Sequence, residues 1–382
     1  METRKLFYED SHLYEFTARV TSCEKVQGGY DVTLDATAFY PEGGGQACDL
    51  GILGAARVLD VQEKEEKILH RCDAPLEVGS CVQGQVDADR RLDLMQQHSG
   101  EHIVSGIICS RYGYHNVGFH VGKEQMEIDF DGPVPAEDLP LIEVLANEAV
   151  WKNLPIRCWY PSREELPSVP YRSKKQLPWP VRVVEIPNYD SCACCGVHVQ
   201  RTGEIGLIKL ISCVKFHSGV RIELACGNRA LQLMQNIFAQ NKLVSQAFSA
   251  KMLETGAAAA KMNEALAAEK LRANTLQTKL LQQTATNYCG AGNAVHFEQE
   301  LSGAQLRELT EAIASVCGGC AAVFSGSGTS YNVCMFHPGG DLNPVITALK
   351  GAFPVRGGGK PGTFQGTVNA TRSQLEELFA GL

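Results

Sequence analysis

Over the first 90 or so residues, apolar and polar positions alternate in short runs punctuated by Gly and Asp. HLYEFTARVTSCEK and GGYDVTLDAT are rich in β-branched and aromatic residues, and ARVLDVQ and KILHRC repeat the pattern. Short strands at close spacing predict a small β-barrel. Helical character starts at Asp89 and runs through the MQQHSGEHIVSG stretch. GFHVGKEQMEIDF predicts a strand pair turning near Gly122 and Lys123. AEDLPLIEVLANEAVWKN predicts an amphipathic helix with Leu141, Val144, Leu145 and Ala149 as its apolar face, and WPVRVVEI predicts a buried strand. From about Ala230 to Gln283 the chain turns to Ala, Leu, Gln, Lys and Glu. Ile237, Val244 and Phe248 keep seven- and four-residue spacing, as do Met262 with Leu266 and Leu276 with Leu280. This is a helical, coiled-coil-like arm. A break at Thr255-Gly256 would fold it into a hairpin; one long helix is the alternative. The last hundred residues alternate helix signals (GAQLRELTEAIASV, RSQLEELF) with strand signals (CAAVFSG, YNVCMFH).

The expected fold class is therefore α+β and multidomain. It comprises an N-terminal barrel over 1–88, an α+β domain over 89–228, the arm over 229–286 and a C-terminal α/β domain over 287–382. With 382 residues, 44% of them hydrophobic, the chain is long enough for several cores. METRKLFYED is polar and no apolar run reaches the roughly 20 residues a membrane span needs, so the expectation is a cytoplasmic protein without membrane contact. The 15 cysteines, in a chain of this size, read as mostly reduced thiols with a few metal ligands. A net charge of -8 gives no general affinity for RNA, so any RNA-binding surface has to be local.

Candidate chemistry starts at His98 and His102. Residues four apart on a helix lie one above the other, so both imidazoles can address one point, as zinc requires. The motif is not HExxH, because Ser99 follows His98. In NYDSCACCGVHVQRTGEIG, Cys194 and His198 are again four apart, completing a set of four N/S donors; Cys192 and Cys195 compete for the same role. Gly43, Gly44 and Gly45 in FYPEGGGQ permit close backbone approach to a ligand. Thr37 and Gln46 flank them with a hydroxyl and an amide suited to a small polar substrate.

FYPEGGGQ, RRLDLMQQHSGEH and CCGVH followed by TGEIG, in this order, resemble the editing domain of alanyl-tRNA synthetases, and still more the free-standing editing proteins of the AlaX type. The resemblance covers residues 1 to about 228. The arm and the C-terminal GGGKPGTFQG resemble the coiled coil and the glycine-rich DHH-associated domain of the long form. The resemblance implies one Zn²⁺ per chain on His98, His102, Cys194 and His198, with the family's CGGTH reading Cys194-Cys195-Gly196-Val197-His198 here. It places Thr37 at the family's serine-recognising threonine. Since the chain starts directly at the barrel, it also implies an enzyme acting in trans on mischarged tRNA(Ala), hydrolysing the seryl ester and also the glycyl ester. The rival is a tRNA-binding or assembly protein with structural zinc and no editing, because four protein ligands usually mark structural sites.

Three further motifs carry weaker chemistry. CGGC at Cys317 to Cys320 has CxxC spacing without a second pair, and reads as a helix-to-strand turn with free thiols. Arg172, Lys174 and Lys175, near Tyr171, Trp179 and Arg182, are candidate tRNA contacts, or a solvated loop. Arg356 and Lys360 in RGGGKPG are candidate phosphate contacts. The arm or the C-terminal domain is where a homodimer is expected.

Overall fold

The computed structural model describes residues 2–122, 124–173 and 177–381. Lys123, Lys174 and Lys175, singled out above, lie outside the described residues. Two compact units divide the chain, 1–243 and 244–382.

In the first unit, β1 (Arg4–Lys5) leads into the short α1 (Leu6–Glu9). Then follow β2 (Glu15–Val26), β3 (Gly29–Leu34), β4 (Ala36–Thr37), β5 (Gly51–Leu53), β6 (Ala56–Lys64), β7 (Lys67–Cys72) and β8 (Cys81–Val86). The barrel closes in the order β2-β3-β7-β6-β5-β8. Alternation does this: along β2, Phe16, Ala18 and Val20 turn inward while their neighbours face water. The two-residue β4 instead pairs in parallel with β1, Thr37 opposite Lys5.

The long α2 (Ala88–Tyr112) is framed by its own sequence. Asp87 caps it by accepting the Arg90 N–H, and Gly113 ends it in the left-handed region at φ 74°. Residues Leu94 to Ile108 are almost all buried, because α2 packs against α3 (Leu139–Trp151), β13 (Asp190–Ala193) and β15 (Gly219–Cys226). The strand pair is β9 (Asn116–Val121) and β10 (Met126–Phe130). After it come β11 (Arg157–Trp159), β12 (Val183–Ile186), β13 (Asp190–Ala193), β14 (Ile208–Phe216) and β15 (Gly219–Cys226). They form a four-stranded sheet, β14-β15-β10-β9, and a three-stranded one, β11-β12-β13.

The apolar face expected for α3 is corrected. Leu141 and Val144 are exposed, and Ile142, Ala146, Ala149 and Val150 are buried. Polar Asn147 lies on the buried face because its amide bonds both backbone groups of Ile208 on β14. The barrel and the α+β region share a unit through a wholly buried ion pair. Arg91 on α2 binds Asp49, and also donates to the carbonyls of Ser11 and Ala38.

Helix α4 (Gly227–Ala247) carries the chain across the unit boundary, and α5 (Thr255–Thr286) starts at the expected break point, after an irregular stretch. In the second unit, β16 (Gly292–Glu298), α6 (Gly303–Cys317), β17 (Gly318–Ser327), β18 (Ser330–Phe336), α7 (Asn343–Ala352), β19 (Val355–Gly358), β20 (Thr363–Val368) and α8 (Arg372–Ala380) follow. The sheet order is β16-β17-β18-β20-β19, with β16 and β17 parallel. Leu281 and Ala285 of α5 pack with Leu306, Leu309 and Ile313 of α6. CGGC is the helix-to-strand turn: Cys317 ends α6, Gly318 takes φ 83°, and Cys317 and Cys320 are buried free thiols.

Candidate metal centre

The helical period of α2 puts His98 and His102 on one side, and the loop after β13 brings Cys194 and His198 to meet them. The ligand atoms of these four residues lie within 4.8 Å of one another. Cys194 Sγ is 3.4 Å from His98 Nε2 and 3.4 Å from His198 Nε2. Tetrahedral zinc with ordinary Zn–N and Zn–S bonds separates its ligands by about 3.3–3.6 Å. The donor set fits that ion in type and spacing.

Each imidazole is held from behind through Nδ1. His98 Nδ1 donates to Gln46 Oε1 at 2.8 Å, His102 Nδ1 to Asp190 Oδ2 at 2.7 Å, and His198 Nδ1 lies 3.3 Å from Ser99 Oγ. Every Nε2 is thereby left for the common centre, the usual way a protein orients metal-binding histidines. Burial works against charge on Cys194, but the His98 and His198 imidazoles and hydrogen bonds from His102 and His198 outweigh it and hold the thiol well below its ordinary range. Burial, followed by the charge of His98, pushes His198 down to about 3. His102 goes the other way: burial is overcome by its bonds to Asp190 and Cys194.

Cys192 takes part in a second buried trio with His102 and Asp190, and burial pushes its thiol up to about 11. Cys195 is exposed and belongs to neither group. Gly196 sits so close to His98 that a Cβ there would lie 2.1 Å from its Cε1. The loop therefore seals on the imidazole only with glycine at this position.

The glycine turn reaches the same imidazole. Gly43 and Gln46 close the turn with reciprocal backbone bonds of 3.1 and 3.0 Å, and the Tyr40 hydroxyl donates to the Gly43 carbonyl. Gly44 forms its tip, at φ 60°. Gly45, at φ 86°, faces Phe119, whose Cδ1 would be 2.5 Å from any Cβ there; Phe119 in turn stacks on His98 with centroids 5.1 Å apart. Gln46 Nε2 is buried without a partner among the described residues.

Thr37 has no bond to this group. Its side chain is fully buried between His70 and the Phe39 N–H. Burial holds His70 neutral, with its pKa down to about 4. Its Nδ1 bonds the Val32 carbonyl and must carry the proton, so Nε2 accepts from the Thr37 hydroxyl.

Arg172, read above as a tRNA contact, turns inward. It donates from Nε and Nη2 to Asp190 at 2.6 and 2.9 Å, and so backs the carboxylate that holds His102. Burial favours this pairing over solvation. Arg356 is exposed on β19, and Lys360 is exposed in the turn between β19 and β20. Asp190, Ser99 and Phe119 were not singled out in the sequence. Of these only Asp190 left a signal, an acidic residue four positions before Cys194.

Two family models match. The threonyl and alanyl tRNA synthetase second additional domain covers residues 181–223, and class II (A) tRNA synthetases cover residues 2–90. The chain is 32% identical over 259 residues to alanyl-tRNA editing protein Aarsd1 of Rattus norvegicus, covering 63% of each chain. It is 39% identical over 250 residues to the alanine–tRNA ligase of Thermofilum pendens, covering 62% of this chain and 27% of that enzyme. The ligase of Halorubrum lacusprofundi is 37% identical over 247 residues, with 61% and 27% covered. The chain thus spans about a quarter of the length of the ligases and under two thirds of the editing protein. Among the described residues, no helix is long and apolar enough to cross a membrane.

Proposed function

We propose, on the premise that this chain is an AlaX-like editing protein, that it acts in trans on mischarged tRNA(Ala), hydrolysing the ester of Ser-tRNA(Ala) and, as a second substrate, Gly-tRNA(Ala). The observation that carries this reading is Gln46. Its Oε1 holds His98 while its Nε2 is buried and, among the described residues, unpaired, which supplies an amide donor for a bound ester beside the imidazole–thiol cluster.

One zinc ion per chain would be held by His98, His102, Cys194 and His198. When bound, it supplies Lewis-acid polarisation or orders the pocket. The protein's own groups do the rest. The glycine turn admits the aminoacyl end, and Gln46 donates to the ester carbonyl oxygen. Water adds to that carbon and the bond to the ribose oxygen breaks, releasing serine and tRNA. Exclusion of alanine has to come from the seryl hydroxyl, since alanine is smaller. Thr37 already gives its proton to His70 and accepts from Phe39 N–H, so it offers the seryl hydroxyl only a lone pair. Serine must therefore be the donor. Such a bond is worth about 1–3 kcal/mol, or roughly one to two powers of ten in rate. Acting on tRNA, the protein would work in the cytoplasm.

The test is deacylation of Ser-tRNA(Ala) at catalytic enzyme concentration, with and without chelator. Repeated turnover abolished by chelation is expected. Thr37→Val should lower the seryl-to-alanyl ratio of kcat/KM by about 10- to 100-fold with metal content unchanged. A folded, zinc-loaded protein that never turns over would instead be the tRNA-binding or assembly protein with structural zinc.

A further inference from the structure

Beside the donor loop lies a cavity of about 250 Å³ lined by Tyr8, Asp10, Cys158, Arg182, His198 and Gln200 among others. Arg182 is its unusual member. It is 7% exposed, yet among the described residues no carboxylate pairs with it. The other buried arginine, Arg91, and the half-buried Arg172 each bind an aspartate. Arg182 Nη1 donates to the carbonyls of Cys194 and Gly196 at 3.0 and 2.8 Å, and the guanidinium lies 4.5 Å from the Tyr8 ring centroid. The ionisable groups that act most on its charge are the thiols of Cys158 and Cys194 and the phenols of Tyr8 and Tyr160. The acids at the cavity are committed elsewhere: Glu9 to Arg4, and Asp10 to His12 N–H and Gln200 Nε2. A guanidinium has five N–H donors, and Nη1 uses only two. A cation taken out of water without a counter-charge is costly, and that cost is recovered when an anion enters.

We propose that this cavity is a subsite for a phosphate-class oxyanion, and that its occupant is the phosphodiester on the 5′ side of the substrate's terminal nucleoside. The inference rests on the function proposed above. His198 both lines the cavity and supplies a donor to the cluster, so one nucleotide can present its ester to the cluster and its own 5′-phosphate to Arg182. Arg182 would then position the substrate without touching the reacting atoms.

The test uses the zinc-loaded full chain and two hydrolysis-resistant probes, 3′-serylamino-adenosine with and without a 5′-phosphate, titrated calorimetrically. The phosphate should tighten binding by about 10- to 100-fold. Arg182→Gln should remove that gain while leaving affinity for the unphosphorylated probe, and Arg182→Lys should keep part of it. Equal affinity of the wild-type protein for both probes overturns the proposal, and needs no variant to fold. Retention of the full gain in a zinc-loaded Arg182→Gln protein overturns it too. If inorganic phosphate binds as tightly as the phosphorylated probe, free phosphate is the occupant and the nucleotide assignment falls. Hydrolysis of Ser-tRNA(Ala) without any phosphate gain sinks the subsite alone. A phosphate gain without hydrolysis leaves the subsite standing and removes the deacylase reading.

Discussion

The two units bury different things. The first hides Asp49, His70, Arg91, His98, Glu101, His102, Arg182, Asp190 and His198, whereas among the described residues the buried polar side chains of the second are Thr310 and Ser325. Both have apolar cores of ordinary composition. Buried charge adds little to stability by itself, since desolvation offsets most of the attraction. Its concentration in one unit is therefore better explained by chemistry than by folding.

The sharpest way to break this contrast is to unpair a buried charge. Arg91→Met leaves Asp49 without its partner, and should cost about 3–5 kcal/mol in urea denaturation. A smaller loss would mean that the pair is solvated. In the second unit the corresponding weak point is apolar. Ile313→Ala should cost about 2–5 kcal/mol, seen as lost amide protection around α6 and its sheet while zinc content stays the same. Altered zinc content would show the two units to be coupled.

Smaller effects test how charge serves the cluster. Asp190→Asn keeps the shape but removes the negative charge and one of the two oxygens that hold His102 and Arg172, so zinc affinity should fall about 10- to 100-fold in a competition with a chromophoric chelator. Unchanged affinity would make Asp190 a partner of Arg172 only. The remaining test concerns His70, through the pH dependence of stability. Its pKa is down to about 4 in the folded protein, against an ordinary value of about 6.5, so the unfolded chain takes up a proton that the folded one refuses. The resulting stability is present above about pH 6.5 and is lost as pH falls toward 4, by about 1.4 kcal/mol per pH unit. His70→Gln should flatten that stretch of the stability curve; an identical slope would show that other groups set it.

How much of this was legible follows from distance along the chain. His98 with His102, and Cys194 with His198, are local spacings, and a helix and a short loop suffice to read them. That the two pairs converge is a tertiary fact, supported in the sequence only by their matching chemistry. Arg172 misled because a basic residue among lysines reads as surface, and its partner lies 18 positions away on another element. The face of α3 misled for a related reason. LPLIEVLANEAVW has two apolar stripes, and the choice between them is made by β14, which needs Asn147 on the inside. Thr37 stood out, but the proton arrangement that makes its oxygen an acceptor depends on His70 and Val32, which have no sequence signature.

The stack of Gly45, Phe119 and His98 has a consequence for substitution. A bulkier residue at 45 is a change in where an imidazole sits, transmitted by a ring that belongs to neither motif. The three positions are thus physically coupled over 74 residues of chain. The ring at 119 is held against a glycine it never neighbours in sequence, and shrinking it would not by itself free position 45, where φ 86° and the Phe119 carbonyl still favour glycine.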